Sequence, residues 1–121
     1  MKYLLCKPQG GFCDNLQFID GCIKYCKKYN RILLINMLDS WTYKINFSDY
    51  FYFNNSLDIN VITDINIINK IISDKSKSVY PYFLKDNLTH FKSLYNKDKY
   101  YYWSKDPLKR PINININTDY Q

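Results

Sequence analysis

Residues 2–35, KYLLCKPQGGFCDNLQFIDGCIKYCKKYNRILLI, constrain this chain more than any other stretch. Tyr3-Leu4-Leu5-Cys6 is a short apolar run closed by Lys7-Pro8, the pattern of a buried strand. Gly10-Gly11 then provides a turn open to conformations that a residue with a Cβ resists. Asp14 or Asn15 is placed to cap a helix expected over 15–29. On that helix Leu16, Ile19, Ile23 and Cys26 form one apolar face, flanked by Phe18, Cys22 and Tyr25. Lys24, Lys27 and Lys28 lie off the stripe and favour the helix's C-terminal end, where the macrodipole prefers cations. Asn30 fits a left-handed stop, and Arg31-Ile32-Leu33-Leu34-Ile35 reads as a second strand. A strand-helix-strand unit with so short a turn implies two parallel strands joined by a right-handed crossover.

The remainder extends this pattern. Residues 37–56 are a long connection rich in rings: Trp41, Tyr43, Phe47, Tyr50, Phe51, Tyr52 and Phe53. Ser48-Asp49 is expected to start a short helical turn that packs Tyr50, Phe51 and Phe53 inward. Leu57 to Thr63 reads as a third strand, and Asp64 as the cap of a helix over 65–73 with Ile65, Ile68 and Ile72 on one face. Residues 79–82 suggest a short fourth strand, which Pro81 confines to an edge or an end. A further helix is expected over 87–96, with Leu88, Phe91 and Leu94 inward. The alternation from Ile112 to Asn117 has a strand period but low complexity. The order predicts an α/β fold: an open, Rossmann-like sheet, mainly parallel, with helices on both faces. Residues 1–110 read as one such domain and 111–121 as a tail or edge strand; 121 residues suffice for one modest domain.

Charge and cysteine usage narrow the function classes. The net charge is +6, but the chain is also heavy in Asn, Ile and Tyr and contains no alanine. All of those enriched residues, lysine included, have AT-rich codons, so codon bias explains much of the charge. The lysines are scattered rather than blocked, and nucleic-acid binding is the weakest reading. No stretch approaches the ~20 apolar residues of a membrane span. Four consecutive apolar residues near the start fall short of the ~7–15 of a signal-peptide core. A cytoplasmic protein is expected, with Cys6, Cys13, Cys22 and Cys26 kept as thiols. No C-x-x-C pair occurs, so no metal site is expected; Cys22 and Cys26, four residues apart, read as small buried thiols. No sequence feature brings Cys13 and His90 together as a catalytic pair.

In an open α/β sheet, ligands bind outside the carboxyl ends of the strands, where the loop from Lys7 to Asn15 falls. Backbone N–H groups near Gly10-Gly11, followed by a helix N-terminus, suit an anion such as phosphate. Gly10, Gly11, Phe12, Asp14 and Asn15 are the candidate binding residues. Lys7 adds charge, and Asp39, soon after the second strand, is a candidate for support. Asp14 offers either a cap or an acceptor for a sugar hydroxyl. The spacing is neither the dinucleotide G-x-G-x-x-G nor the P-loop. The plainer alternative is a strand-to-helix turn whose glycines only permit the bend.

Lys7-Pro8-Gln9-Gly10-Gly11-Phe12-Cys13-Asp14-Asn15-Leu16, then a helix, then Asn30-Arg31 and a strand, resembles the opening of fucosyltransferase-like glycosyltransferases. The resemblance implies a GT-B architecture of two Rossmann-like domains with a nucleotide sugar, commonly GDP-fucose, in the cleft. It places Gly10, Gly11 and Phe12 on the family's loop, with Cys13 where the family prefers glycine, Asp14 where it has asparagine and Asn15 where it has glutamine. It covers residues 7–35, and the family's H-x-R-x-G-D-like motif of the second domain does not occur here. The implied function is sugar transfer from a nucleoside-diphosphate sugar to a hydroxyl of a glycan or protein acceptor, with a second domain or subunit completing the site. The nucleotide sugar is a substrate, no cofactor is expected, and no catalytic residue is assigned. The alternative is a non-catalytic α/β interaction module that uses the aromatic loop 41–53.

Overall fold

The computed structural model describes residues 1–8, 10–38, 44–54 and 56–79. Three strands, β1 (Tyr3–Cys6), β2 (Ile32–Ile35) and β3 (Val61–Ile62), form a parallel sheet in the order β1-β2-β3. Three helices accompany them: α1 (Phe12–Tyr29), α2 (Phe47–Tyr50) and α3 (Ile65–Ile72). The register pairs Tyr3 with Ile32 and Cys6 with Ile35 on one side of β2, and Leu33 with Val61 and Leu34 with Ile62 on the other.

Because side chains alternate across a strand, the register sorts the apolar residues into two layers. Cys6, Leu33 and Ile35 face Ile19, Cys22 and Cys26 of α1, with Met37, Phe47 and the half-buried Leu4 and Val61. Leu34 faces Ile68 and Ile72 of α3, with Val79 and the half-buried Tyr3, Leu5, Ile32 and Ile62. Helices therefore cover both faces, as the sequence predicts. Central β2 is buried on both sides, so it reads as an unbroken apolar run rather than an alternating one. Leu33, Leu34 and Ile68 are sealed from solvent, and each such side chain stabilises by about 1.5–3 kcal/mol.

α1 and the connection through α2 lie on one face, and α3 lies on the other. A right-handed crossover leaving β3 through the opposite face runs back across β2 towards β1. Val79, the last described residue, is buried there against Leu34, Ile68 and Ile72 and forms a β-bridge.

Several boundaries differ from the sequence expectation. α1 starts at Phe12 rather than near residue 15, and its N-cap is Gly11, not Asp14 or Asn15. Its buried residues are Asn15, Ile19, Cys22 and Cys26, whereas Leu16 is exposed. Counting only apolar residues rotates the face by one position, because the residue that meets the sheet in the first turns is an amide. β3 is two residues, not seven. The chain before it folds back on itself: the Leu57 N–H donates to the Asn54 carbonyl (3.0 Å) and the Ser56 N–H to Asn54 Oδ1 (3.2 Å), and pairing with β2 begins only at Asn60, whose carbonyl accepts the Leu33 N–H (2.9 Å). In α2 the buried ring is Phe47, while Tyr50 points outward. Phe47 stacks on Phe53 (5.2 Å between centroids) and meets Phe51 (5.1 Å), which pins the β2–β3 connection to the α1 side. Asn30 does close α1 in the left-handed conformation, with φ 52°. The fourth strand beyond Val79, the helix at 87–96 and the 111–121 segment lie outside the described residues.

Candidate functional site

The carboxyl ends of β1 and β2 and the start of α1 meet at one corner of the sheet. β1 ends in buried Cys6, Lys7 and Pro8, and the Asn36 N–H donates to the Cys6 carbonyl (2.9 Å). Asn36 is itself buried at the end of β2, and its Oδ1 accepts the Leu38 N–H (3.1 Å), turning the chain away from the sheet. Sequence reasoning did not single out Asn36; a lone Asn after a strand carries no signal until β1 is known to lie beside it.

The loop enters α1 through two glycines that are not equivalent. Gly10 has φ +113°, a conformation L side chains rarely adopt. Gly11 has φ −66° and ψ 165°, ordinary extended backbone for an N-cap position. A Cβ added at Gly11 would meet only Asp14 Oδ2, at an unstrained 3.6 Å. The fold thus requires glycine at position 10 and not at position 11.

Gly11 carries no side chain, so the first turn of α1 receives no side-chain cap. The first intrahelical bond runs from the Asn15 N–H to the Gly11 carbonyl (2.9 Å), so the N–H groups before it have no partner within the helix. The helix dipole adds partial positive charge there. Asp14, in the first turn, sets its carboxylate 3.6 Å from the Cβ position of either glycine. Donors and an acidic acceptor stand side by side. Phe12, the first helical residue, is partly exposed and stacks on Phe51 (5.8 Å).

Asn15 lies one turn in, on the face of α1 that meets the sheet. It is fully buried, and neither its Oδ1 nor its Nδ2 has a hydrogen-bond partner. Helix side chains lean toward the N-terminus, which tilts this carboxamide back toward the first turn and the loop.

Gly10, Gly11, Phe12, Asp14 and Asn15 are thus brought together at the carboxyl edge, with Lys7 buried at the end of β1. Asp39 and His90 lie outside the described residues. The aromatic connection splits by direction: Phe47, Phe51 and Phe53 pack inward, whereas Tyr50 and Tyr52 are exposed.

The cysteines behave as two groups. Cys6, Cys22 and Cys26 are buried together beneath α1, and Cys13 is exposed in its first turn. Burial, with a hydrogen bond to Cys22, raises the Cys6 thiol well above its ordinary pKa. Burial and the neighbouring Cys22 push Cys26 up to about 12, with Arg31 opposing. Cys6 and Cys26 are therefore inert core thiols at neutral pH. Among the described residues no group of three His, Cys, Asp or Glu side chains could hold a metal ion, and no helix is long and apolar enough to cross a membrane.

A shallow cleft of about 320 Å³ opens at the other end of the sheet, between the end of α1 and the approach to β3. Cys26, Lys27, Asn30, Leu57, Asp58, Ile59 and Asn60 line it. It is set apart from the glycine loop and presents no unpaired buried group. No protein-family model, curated protein or solved structure matches the chain.

Proposed function

We propose that residues 7–15 are the donor-binding loop of a glycosyltransferase-like domain, acting on a nucleoside-diphosphate sugar of the GDP-fucose kind. The observation that carries this reading is the uncapped start of α1 behind Gly10-Gly11, with the unpaired carboxamide of Asn15 beside it. Phosphate oxygens accept from the N–H groups of the first turn, and Asp14 accepts from a hydroxyl of the sugar. In the reaction the bond between the sugar's anomeric carbon and the diphosphate breaks as an acceptor hydroxyl attacks. The attacking proton needs a base and the departing diphosphate needs a cation. The loop supplies positioning, and under the resemblance a second domain or subunit supplies both.

The test is a thermal-shift screen of the 121-residue chain against GDP, UDP and nucleotide sugars. A ligand at 100 times its dissociation constant stabilises by ~2.7 kcal/mol, several degrees for a domain of this size. A selective shift that disappears in Asn15→Ala supports the reading. A cooperatively folded protein that shifts with none of them speaks against donor binding by this chain.

A second reading, a non-catalytic interaction module, is favoured by one observation: Tyr50 and Tyr52 are 69% and 91% exposed beside the Phe12–Phe51 stack. Under that reading Tyr52→Ser weakens partner binding and leaves any nucleotide-induced shift intact.

A further inference from the structure

The α1 face that meets the sheet is apolar at Ile19, Cys22 and Cys26 and polar at Asn15. Nearly all buried polar groups in proteins are hydrogen-bonded, and a buried amide left unpaired opposes folding. Asn15 is fully buried with both polar atoms unpaired, at a position where an apolar side chain would suit the fold better. Building on the donor-loop reading above, we propose that Asn15 is held polar for the ligand, and that it takes a hydroxyl of the sugar rather than a phosphate.

The argument is one of complementarity. A carboxamide carries an acceptor in Oδ1 and two donors in Nδ2. A phosphate group only accepts, so it would satisfy Nδ2 and leave Oδ1 stranded. A hydroxyl both donates and accepts, so it satisfies either atom, and two hydroxyls of one ring satisfy both. Asp14, its neighbour, makes the same demand, since an ionised carboxylate only accepts. The phosphates are left to the backbone N–H groups of the first turn, which only donate. The carboxamide is closed from solvent, so the sugar reaches it only once the side chains that cover it move aside.

The experiment pairs urea denaturation without ligand and calorimetric titration for the wild type, Asn15→Leu and Asn15→Ala. The probes are GDP-fucose, GDP-mannose, UDP-glucose and inorganic pyrophosphate. Asn15→Leu is expected to raise the urea midpoint, because it removes an unpaired buried amide at similar volume. Both variants are expected to lose roughly tenfold or more in affinity for the nucleotide sugar that the wild type binds, and to hold pyrophosphate within about twofold. A lowered midpoint in Asn15→Leu overturns the inference, since the amide then serves the fold. Equal weakening of sugar and pyrophosphate also overturns it. If the leucine variant does not fold, Asn15→Ala, which needs no extra room, decides: nucleotide-sugar binding at wild-type strength overturns the proposal. A wild type that binds none of the four probes removes the donor-loop reading itself, and that result is read before any variant is compared.

Discussion

α1 and α3 both begin at the carboxyl edge of the same parallel sheet, and they begin in opposite ways. α3 starts behind Asp64, whose Oδ1 accepts the N–H groups of Asn66 (2.8 Å) and Ile67 (3.2 Å). Its buried residues are Ile68 and Ile72. α1 starts behind Gly11, with no side chain to accept anything, and its buried line opens on the unpaired Asn15. The cap side chain of α3 takes two of its first donors, whereas the N-cap of α1 has no side chain to take any. α1 has 18 residues against 8 in α3, so the longer helix, anchored by Ile19, Cys22 and Cys26, holds without a capping side chain at its N-cap. The short helix is the one that carries the cap.

The comparison can be broken in order of expected effect. The largest is set by pH, because thiols underlie α1 and isoleucines underlie α3. A thiol whose folded pKa is raised stabilises the fold fully below the unfolded value and loses that contribution as pH climbs to the folded one. Starting from an ordinary thiol near ~8.5 and ending near the value of about 12 for Cys26, stability is expected to fall steadily with rising pH. Denaturation midpoints in Cys26→Ala should show a flatter alkaline limb; an unchanged limb contradicts the assignment. Native thiol labelling should modify Cys13 quickly and the other three only on unfolding.

Next comes the turn. Gly10→Val is expected to cost about 1–3 kcal/mol, the usual scale of backbone strain, while Gly11→Val leaves the denaturation midpoint near that of the wild type. Equal losses at the two positions would erase the distinction drawn between them. Smaller again is the cap of α3: Asp64→Ala is expected to cost about 1 kcal/mol by denaturation. The smallest change sharpens the contrast most. Gly11→Ser gives α1 the cap it lacks and is expected to gain a few tenths of a kcal/mol. If the open end serves a ligand, the same substitution weakens nucleotide-sugar binding in titration, because the serine oxygen competes for the same N–H groups.

Much of this corner was legible in the residues. Apolar runs at 3–6 and 31–35 around a glycine turn gave two parallel strands and a helix, because so short a turn leaves no other connection. Asp64 before an isoleucine-rich stretch gave α3 and its cap, since that signal lies within four residues. Cys22 and Cys26 were expected as buried thiols and are. Asn15 was expected as a cap or a ligand group, not as a buried residue of the helix face. Hydrophobic counting passes over a polar residue, and here it put the exposed Leu16 in the place of Asn15. Tyr50 was placed inward and Phe47 overlooked for a related reason: in a run of rings, composition does not say which ones turn toward the core.

By itself, then, the sequence determined the local events: where the chain extends, where it must turn, where a nearby side chain can close a helix. Each depends on a handful of adjacent residues and on backbone chemistry that acts over one turn. Tertiary structure decided what depends on distant partners. The register of β2 between β1 and β3 sorted the core into two layers. The seating of α1 on that sheet chose which of its residues are buried. That seating carried Asn15 out of water, where an ordinary surface amide became an unpaired one, because burial removes the solvent that would have satisfied it.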